Sequence, residues 1–263
     1  MTIHAIDLAQ AASVARRAAE APSSRLLEIA RTGSFRTSLK NDGSPQTSAD
    51  TMAERLVRQT LQASAYPAEA AVLGEEEGET GEGSKWRWVV DPIDGTMAFA
   101  RDIPVWGTLV ALQCVETGRV VAGAIRLPGT DETFWAWQGG GAWRNGERIH
   151  VSTTAELSRA TVAAGLLGQF RTSGVEHFLG PLVDAVDDLR IFGDVFAHVA
   201  AARGAVDAVV DPDLSLWDFA ASRILIEEAG GTILVRHTGR GRGHDVLLGT
   251  PAVVNRLALL LEF

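Results

Sequence analysis

The chain of 263 residues contains one cysteine, Cys114, so no disulfide framework can form within it and no cysteine-based zinc site is available. Cys114 lies in the apolar run from Thr108 to Val115 and reads as a buried small hydrophobe. Long hydrophobic runs are missing as well. No stretch of about 18 apolar residues occurs, and the N-terminus has no basic segment followed by an apolar one. These absences predict a cytoplasmic protein with no membrane partner. Positive charge is in deficit: Lys plus Arg number 24 and Asp plus Glu number 33, a formal net charge of −9. That argues against a nucleic-acid partner, which needs a basic face to displace counterions from phosphates. A phosphorylated small molecule stays open, because a bound metal can invert the local field.

Several motifs are missing or incomplete. The six histidines (4, 150, 177, 198, 237 and 244) are scattered, so a His-based metal site is not expected. There is no Gly-x-Ser-x-Gly elbow and no His-Glu-x-x-His. The segment Gly78–Lys85 is only faintly like a phosphate-binding P-loop: its Lys follows the Ser, and it is acidic where a triphosphate would sit. Gly239-Arg-Gly-Arg-Gly243 opens no helix and reads as a solvated turn, with a place at the rim of a site left open.

What is present is an ordinary globular composition, 46% apolar and 22% charged, long enough to bury a large core. Apolar spacing predicts a helix over 3–31, interrupted at Pro22, and a second over 48–65. Residues 33–47 read as a loop or irregular hairpin. Short β runs at 71–73 and 86–90 flank an acidic insert, 75–84. Strands follow at 105–115, 119–127, 133–137 and 142–151, with turn residues between them. From about 155 the pattern alternates: strands at 160–164, 189–192, 206–210, 232–235 and 246–248, helices at 175–186, 195–202, 217–229 and 252–261. The expectation is a layered mixed α/β protein with an N-terminal α+β half, 1–152, and a C-terminal α/β half, 153–263.

Three segments place acids beside turns and strand ends: Leu73–Gly78, Trp88–Thr96 and Leu214–Ala221. In the second, an apolar strand runs into Asp91, Pro92 forbids helix, and Asp94-Gly95-Thr96 follows. Such a turn can aim two carboxylates and the Ile93 carbonyl at one point and leave the amides of Gly95 and Thr96 at a helix start, where phosphate binds. Carboxylates and carbonyls are the hard oxygen ligands that Mg²⁺ takes alongside substrate phosphate. Taken singly, Asp91 and Asp94 also suit turn or cap positions, and Asp218 suits the first turn of a helix.

These strings, Gly74-Glu75-Glu76, Asp91-Pro-Ile-Asp-Gly-Thr96 and Trp217-Asp218-Phe-Ala-Ala221, resemble the inositol monophosphatase family of Mg²⁺-dependent, lithium-sensitive phosphatases in both order and spacing. Lys40–Asp50 followed by Glu54, the segment Gly139–Ser152, and Glu227–Gly231 extend the resemblance over nearly the whole chain. It implies a five-layer α-β-α-β-α sandwich, a homodimer, and two or three Mg²⁺ per subunit. Glu75, Asp91 and the Ile93 carbonyl would hold the first ion, and Asp91, Asp94 and Asp218 the second. Glu76 would be a supporting neighbour, Gly95 and Thr96 would cradle phosphate, and Asp50 with Thr96 and Glu75 would orient and deprotonate the attacking water.

Within the family, Pro104–Leu109 and the stretch from Gly193-Asp194 through Asp211 to Asp218 look closest to the histidinol-phosphate phosphatase branch. Phe196 and His198 depart from it. Asp194 and Asp211 would face the organic part of the substrate, where two carboxylates suit a cationic amine and an imidazole. An inositol-1-phosphate or broad sugar-phosphate phosphatase remains the alternative, an adenosine bisphosphate phosphatase a third, and a non-catalytic binding protein would require a substituted ligand set.

Overall fold

The computed structural model describes residues 6–39, 45–81 and 83–263. The expected helix start at residue 3, residues 40–44 of the Lys40–Asp50 segment, and Glu82 of the acidic insert lie outside them.

Helix α1 (Leu8–Glu20) turns Ala11, Ala12, Val14, Ala15, Ala18 and Ala19 inward. A face of alanines lets a helix lie close against a sheet. The break falls at Pro22 because proline has no N–H for the helical ladder; α2 (Ser23–Thr32) then runs to Gly33 in a left-handed cap. Strands β1 (Thr37–Leu39) and β2 (Pro45–Thr47) pair antiparallel. They lead into α3 (Ser48–Ser64), whose start is a capping box: Thr47 Oγ1 accepts from Ala49 N, and Asp50 Oδ2 accepts from Thr47 N at 2.7 Å.

The first large sheet is built from β3 (Ala71–Gly74), β4 (Gly78–Thr80) and β5 (Trp86–Asp94), then, beyond the short α4 (Thr96–Phe99), β6 (Gly107–Cys114), β7 (Val120–Leu127), β8 (Glu132–Trp137), β9 (Gly141–Arg144) and β10 (Glu147–Ile149). Its order is β10-β9-β8-β7-β6-β5-β3-β4, with β3 and β5 the one parallel pair. The second sheet follows a different rhythm: β11 (Thr161–Ala164), α5 (Leu167–Ser173), α6 (Leu179–Ala185), β12 (Asp188–Ile191), α7 (Asp194–Ala202), β13 (Ala208–Leu214), α8 (Leu216–Glu228), β14 (Thr232–His237), β15 (His244–Gly249) and α9 (Pro251–Leu260). Its order is β12-β11-β13-β15-β14.

Alternation along the strands sorts residues into layers. Trp88, Val90 and Leu112 face α1 and α3, whereas Val89 and Ala111 face the opposite way. In the second sheet Val162, Ala208, Val210 and Leu247 face α5, α6 and α9, whereas Ala163, Val209, Val246 and Leu248 face α7 and α8. Helices α7 and α8 are therefore the shared middle layer, buried over most of their surface because both sheets cover them. The result is the expected α-β-α-β-α sandwich. Cys114 is buried with the first outer cluster. Among the described residues no helix is long and apolar enough to cross a membrane.

Four local expectations need correction. The acidic insert is not only loop: after the Glu75–Glu77 turn it forms β4, the sheet edge. Residues 142–151 are two strands, divided at Asn145-Gly146, both with positive φ. The 175–186 segment begins as a single 3₁₀ turn before α6. Helix α5 was not expected at all. It is only seven residues long and its one buried apolar side chain is Phe170, so it carries no helical apolar stripe.

The α1 face gives a stability prediction. Ala15 is fully buried against the sheet, and enlarging it overfills a packed interior. Ala15→Leu should cost about 1–3 kcal/mol, read as a lower urea midpoint with an unchanged far-UV spectrum.

Candidate metal centre and active site

The turn after β3 is clamped from below. Glu54, fully buried on α3, accepts from Glu76 N at 2.8 Å, from Glu77 N at 3.1 Å and from Arg58 Nε at 2.8 Å. Gly74 makes room for this carboxylate, with which a Cβ there would collide. Gln46 Nε2 donates to Glu76. Glu75 N donates to the Val90 carbonyl at 3.2 Å, so the Glu75 residue is fixed beside the end of β5.

Strand β5 does not end at Val90 as expected. It continues through Pro92 to Asp94, with a register shift against β6 between Asp91 and Asp94. A bulge is one of the few places a sheet accepts proline. The freed Pro92 carbonyl accepts from Thr108 Oγ1 at 2.8 Å, and Asp91 Oδ1 accepts from Ile93 N at 3.1 Å. The bulge turns Asp91 and Asp94, three residues apart, toward one point. Gly95 follows at φ 86, where a Cβ would meet Trp106 and Asp194 Oδ2 at 3.3 Å. Thr96 Oγ1 lies 3.1 Å from the Ile93 carbonyl and 3.2 Å from Asp50 Oδ1, so its single proton has two competing acceptors.

Asp218 arrives from the other half of the chain. It is the third residue of α8, and its Oδ2 accepts from Ser215 N at 2.8 Å. Oxygen atoms of Asp91, Asp94 and Asp218 all lie within 4.8 Å of one another. Asp94 also accepts from Val195 N at the start of α7, which ties the first sheet to the middle helices. The cleft over this cluster holds about 650 Å³ and is lined by Glu75, Asp91, Ile93, Asp94, Gly95, Thr96, Asp194 and Asp218, with α5 as one wall.

One cation already stands there. Arg242 Nη1 is 2.9 Å from Asp218 Oδ2, and Nη2 is 3.8 Å from Glu75 Oε1. Of the two readings open for the glycine-rich 239–243 turn, the structure takes the second for Arg242: it is a lining residue of the site. Burial opposes its charge, but Asp218, Glu75, Asp91 and Asp94 more than offset this and raise its pKa. The carboxylates shift the other way. Burial pushes Asp91 well above the usual range, helped by Glu75, Asp94 and Asp218. Burial, then Asp194 and Asp218, does the same to Asp94. Asp218 is raised by burial against the opposing Arg242 charge. Asp50 is pushed up to about 6, by burial first, despite its two bonds from Thr47. Clustered hard oxygen donors that resist ionising together are a fit for a hard divalent cation, whose charge removes the penalty.

The two expected substrate residues are placed differently. Asp194 lines the cleft at φ 60 and is pushed up to about 6 by burial and by Asp211. Asp211 is 1% exposed and lies behind the cleft, its Oδ2 3.1 Å from His198 Nε2, with Ser222 Oγ 2.9 Å from the other imidazole nitrogen. Reading the sequence for function also left out Glu54 as a clamp and the α5 wall.

A model of the inositol monophosphatase family matches residues 1–260. A histidinol-phosphatase from Streptomyces coelicolor is 38% identical over 229 residues, covering 80% of this chain and 85% of that protein. An inositol monophosphatase from Dictyostelium discoideum is 34% identical over 225 residues, covering 82% and 81%. The crystal structure of the extragenic suppressor protein SuhB from Bartonella henselae superposes with a TM-score of 0.84 at 28% identity, covering 96% of this chain and 98% of that one. The layered fold and its acidic cleft are thus those of a metal-dependent phosphatase class. The chain belongs to the inositol monophosphatase family and is a phosphoric monoester hydrolase.

The raised carboxylates predict an inverted pH response. For Asp50 and Asp194 the folded value, about 6, exceeds the ordinary 3.8. Each therefore contributes stability that is whole below about 4 and is lost as pH rises through about 6. Asp91, Asp94 and Asp218 act in the same direction. Metal-free protein should melt at a higher temperature at pH 5.5 than at pH 7.5, and excess divalent cation should reverse that order. Thermal melts with and without chelator check both.

Proposed function

We propose that this protein hydrolyses L-histidinol phosphate to L-histidinol and inorganic phosphate, as a cytoplasmic homodimer using Mg²⁺. The observation that carries the reading is the convergence of Glu75, Asp91, Asp94 and Asp218 on one cleft that also presents Asp194. The 38% identity to a histidinol-phosphatase over most of both chains favours this ester.

In this reading Glu75, Asp91 and the Ile93 carbonyl hold one ion, and Asp91, Asp94 and Asp218 hold a second. Bound Mg²⁺ supplies charge neutralisation for the phosphoryl group and lowers the pKa of a coordinated water. The chain does the rest by positioning. The Gly95 and Thr96 amides hold the phosphoryl oxygens at the start of α4. With the Ile93 carbonyl committed elsewhere, Thr96 Oγ1 donates to Asp50 alone and its lone pair faces the attacking water. Asp50, pushed up to about 6, is poised to take a proton near neutrality through that contact, and Glu75 orients the same water. The water oxygen bonds to phosphorus as the ester P–O bond breaks, and the departing alkoxide takes a proton from solvent, to which Asp50 returns the one it accepted.

Asp194, whose carboxylate lies beside Gly95, meets the cationic amine of the substrate. Asp211 sits behind it and adds its charge through the field, which is the largest electrostatic influence on Asp194 after burial. An inositol-1-phosphate or broad sugar-phosphate activity is the second reading, favoured by the 34% identity to the Dictyostelium inositol monophosphatase.

A phosphate-release panel with Mg²⁺ tests the reading. It compares histidinol phosphate, inositol 1-phosphate, fructose 1,6-bisphosphate and an adenosine bisphosphate. Histidinol phosphate should show the highest kcat/KM, and chelator should abolish release from every ester. A higher value for inositol 1-phosphate selects the second reading, and full activity in chelator removes the metal mechanism. Asp194→Asn should raise KM for histidinol phosphate about 10- to 150-fold, as loss of a charged hydrogen bond of about 1.5–3 kcal/mol does. KM for a neutral polyol ester should change little, and an equal rise for both takes Asp194 out of the amine contact.

A further inference from the structure

Arg242 is the one arginine bonded directly to the acidic cluster among the described residues. Its backbone is fixed while its side chain is not enclosed. Arg242 N donates to Asp213 Oδ1 at 2.5 Å, and Gly241, at φ 51, packs against that carboxylate so closely that a Cβ would collide with it. Two backbone bonds, Thr238 N to Gly243 O at 3.0 Å and Gly243 N to Arg240 O at 2.9 Å, close the turn. The Arg242 side chain is 28% exposed, against 4% for Asp218 and 10% for Glu75. The cation is thus the partner that faces open cleft and has somewhere to go. Gly95 and Thr96 line the same cleft.

Guanidinium does not shed its proton in a protein, so it cannot yield the site by neutralising. It has to leave as a cation. Divalent ions held by Glu75 and by Asp218 would put positive charge beside the guanidinium and repel it at contact distance. The phosphoryl end of a monoester is a dianion near neutrality, and a planar guanidinium matches its oxygens in pairs. On the reading given under Proposed function, that dianion lies over Gly95 and Thr96, in the same cleft. The released cation can then pair with that dianion.

We infer that Arg242 serves two partners in turn: it neutralises Asp218 and Glu75 before metal arrives, and, displaced by the metal, it contacts the phosphoryl group of the substrate. Arg242 is thus an internal competitor that sets metal affinity and a substrate contact that the loaded site gains. The inference rests on the metal-dependent phosphatase reading, but metal binding can be measured without turnover.

The experiment uses the full chain and two variants, Arg242→Gln and Arg242→Lys. Mn²⁺ affinity is read by calorimetry and by the electron-spin signal of free Mn²⁺, with no substrate present. Arg242→Gln should bind Mn²⁺ on the order of five- to tenfold more tightly, the usual size of a coupling between two sites, and Arg242→Lys should fall between it and the parent. Inorganic phosphate then serves as the anionic probe: in Mg²⁺-saturated protein its dissociation constant should weaken on the order of fivefold in Arg242→Gln. Unchanged or weaker Mn²⁺ affinity in Arg242→Gln overturns the competitor role. Unchanged phosphate affinity overturns the second contact. Loss of thermal stability with both affinities unchanged reduces Arg242 to a structural ion pair. If the parent protein binds no Mn²⁺, the metal reading itself fails along with this inference. If Mn²⁺ binds as expected while every ester in the panel is refused, only the substrate reading fails.

Discussion

Everything in this cleft answers to one constraint, the repulsion among carboxylates brought together out of water. Asp91, Asp94 and Asp218 lie within 4.8 Å and are almost wholly buried. Removing such charges from water costs several kcal/mol each unless they are paired or neutralised. Without an ion the protein relieves part of this by protonation, which the raised pKa values describe, and part with Arg242. Neither remedy is complete. A site held in unrelieved repulsion has a strong affinity for the ligand that relieves it, so the unfavourable electrostatics of the metal-free chain are themselves the source of cation binding.

Holding that repulsion requires a scaffold that cannot relax away from it. The first sheet supplies Glu75 through a turn clamped by buried Glu54, and supplies Asp91 and Asp94 through a bulge filled by proline. The middle helices supply Asp218 at the start of α8 and fasten Asp94 to the start of α7 through Val195 N. Because α7 and α8 are gripped by both sheets, the two contributions are locked in register by the same apolar core. The energy that forces the carboxylates together comes from burial of alanine, valine and leucine far from the cleft.

Much of this was legible in the chain because its physics is local. A strand running into Asp91-Pro92, then Asp94-Gly95-Thr96, carries its own geometry, and the 3.6 and 2.0 periods of helix and strand sort the layers. From sequence alone the bulge reads as a turn, since a proline after an apolar run looks the same in both cases until the partner strand is known. Arg242 lay open between a solvated turn and a site rim, because nothing within five residues of it reports the acids contributed by residues 75 and 218. Helix α5 escaped for want of an apolar stripe, and its place as a wall depends on β13 beneath it. Asp211 illustrates the opposite limit. Its position in the string suggested a substrate contact, yet the fold puts the side chain behind the cleft on His198. A strand residue's face follows from the register of its neighbours, and β13 is bulged between Asp211 and Leu214.

The two acids contributed by helices show why cap and site coincide. Asp50 and Asp218 are each the third residue of a helix, and each spends one carboxylate oxygen on the N–H of the residue before the first turn. A capping bond fixes the side chain's rotamer and aims the carboxylate along the helix axis, out of the N-terminal end. The second oxygen of such a group is then presented at a defined point with little further loss of conformational freedom. In Asp50 that second oxygen meets Thr96, and in Asp218 the carboxylate joins the cluster with Asp91 and Asp94. For Asp218 the sequence allows two readings, a first-turn acid and a site residue. In the folded chain the cap is the means by which the site is positioned, since the bond that starts the helix is also the bond that holds the ligand still.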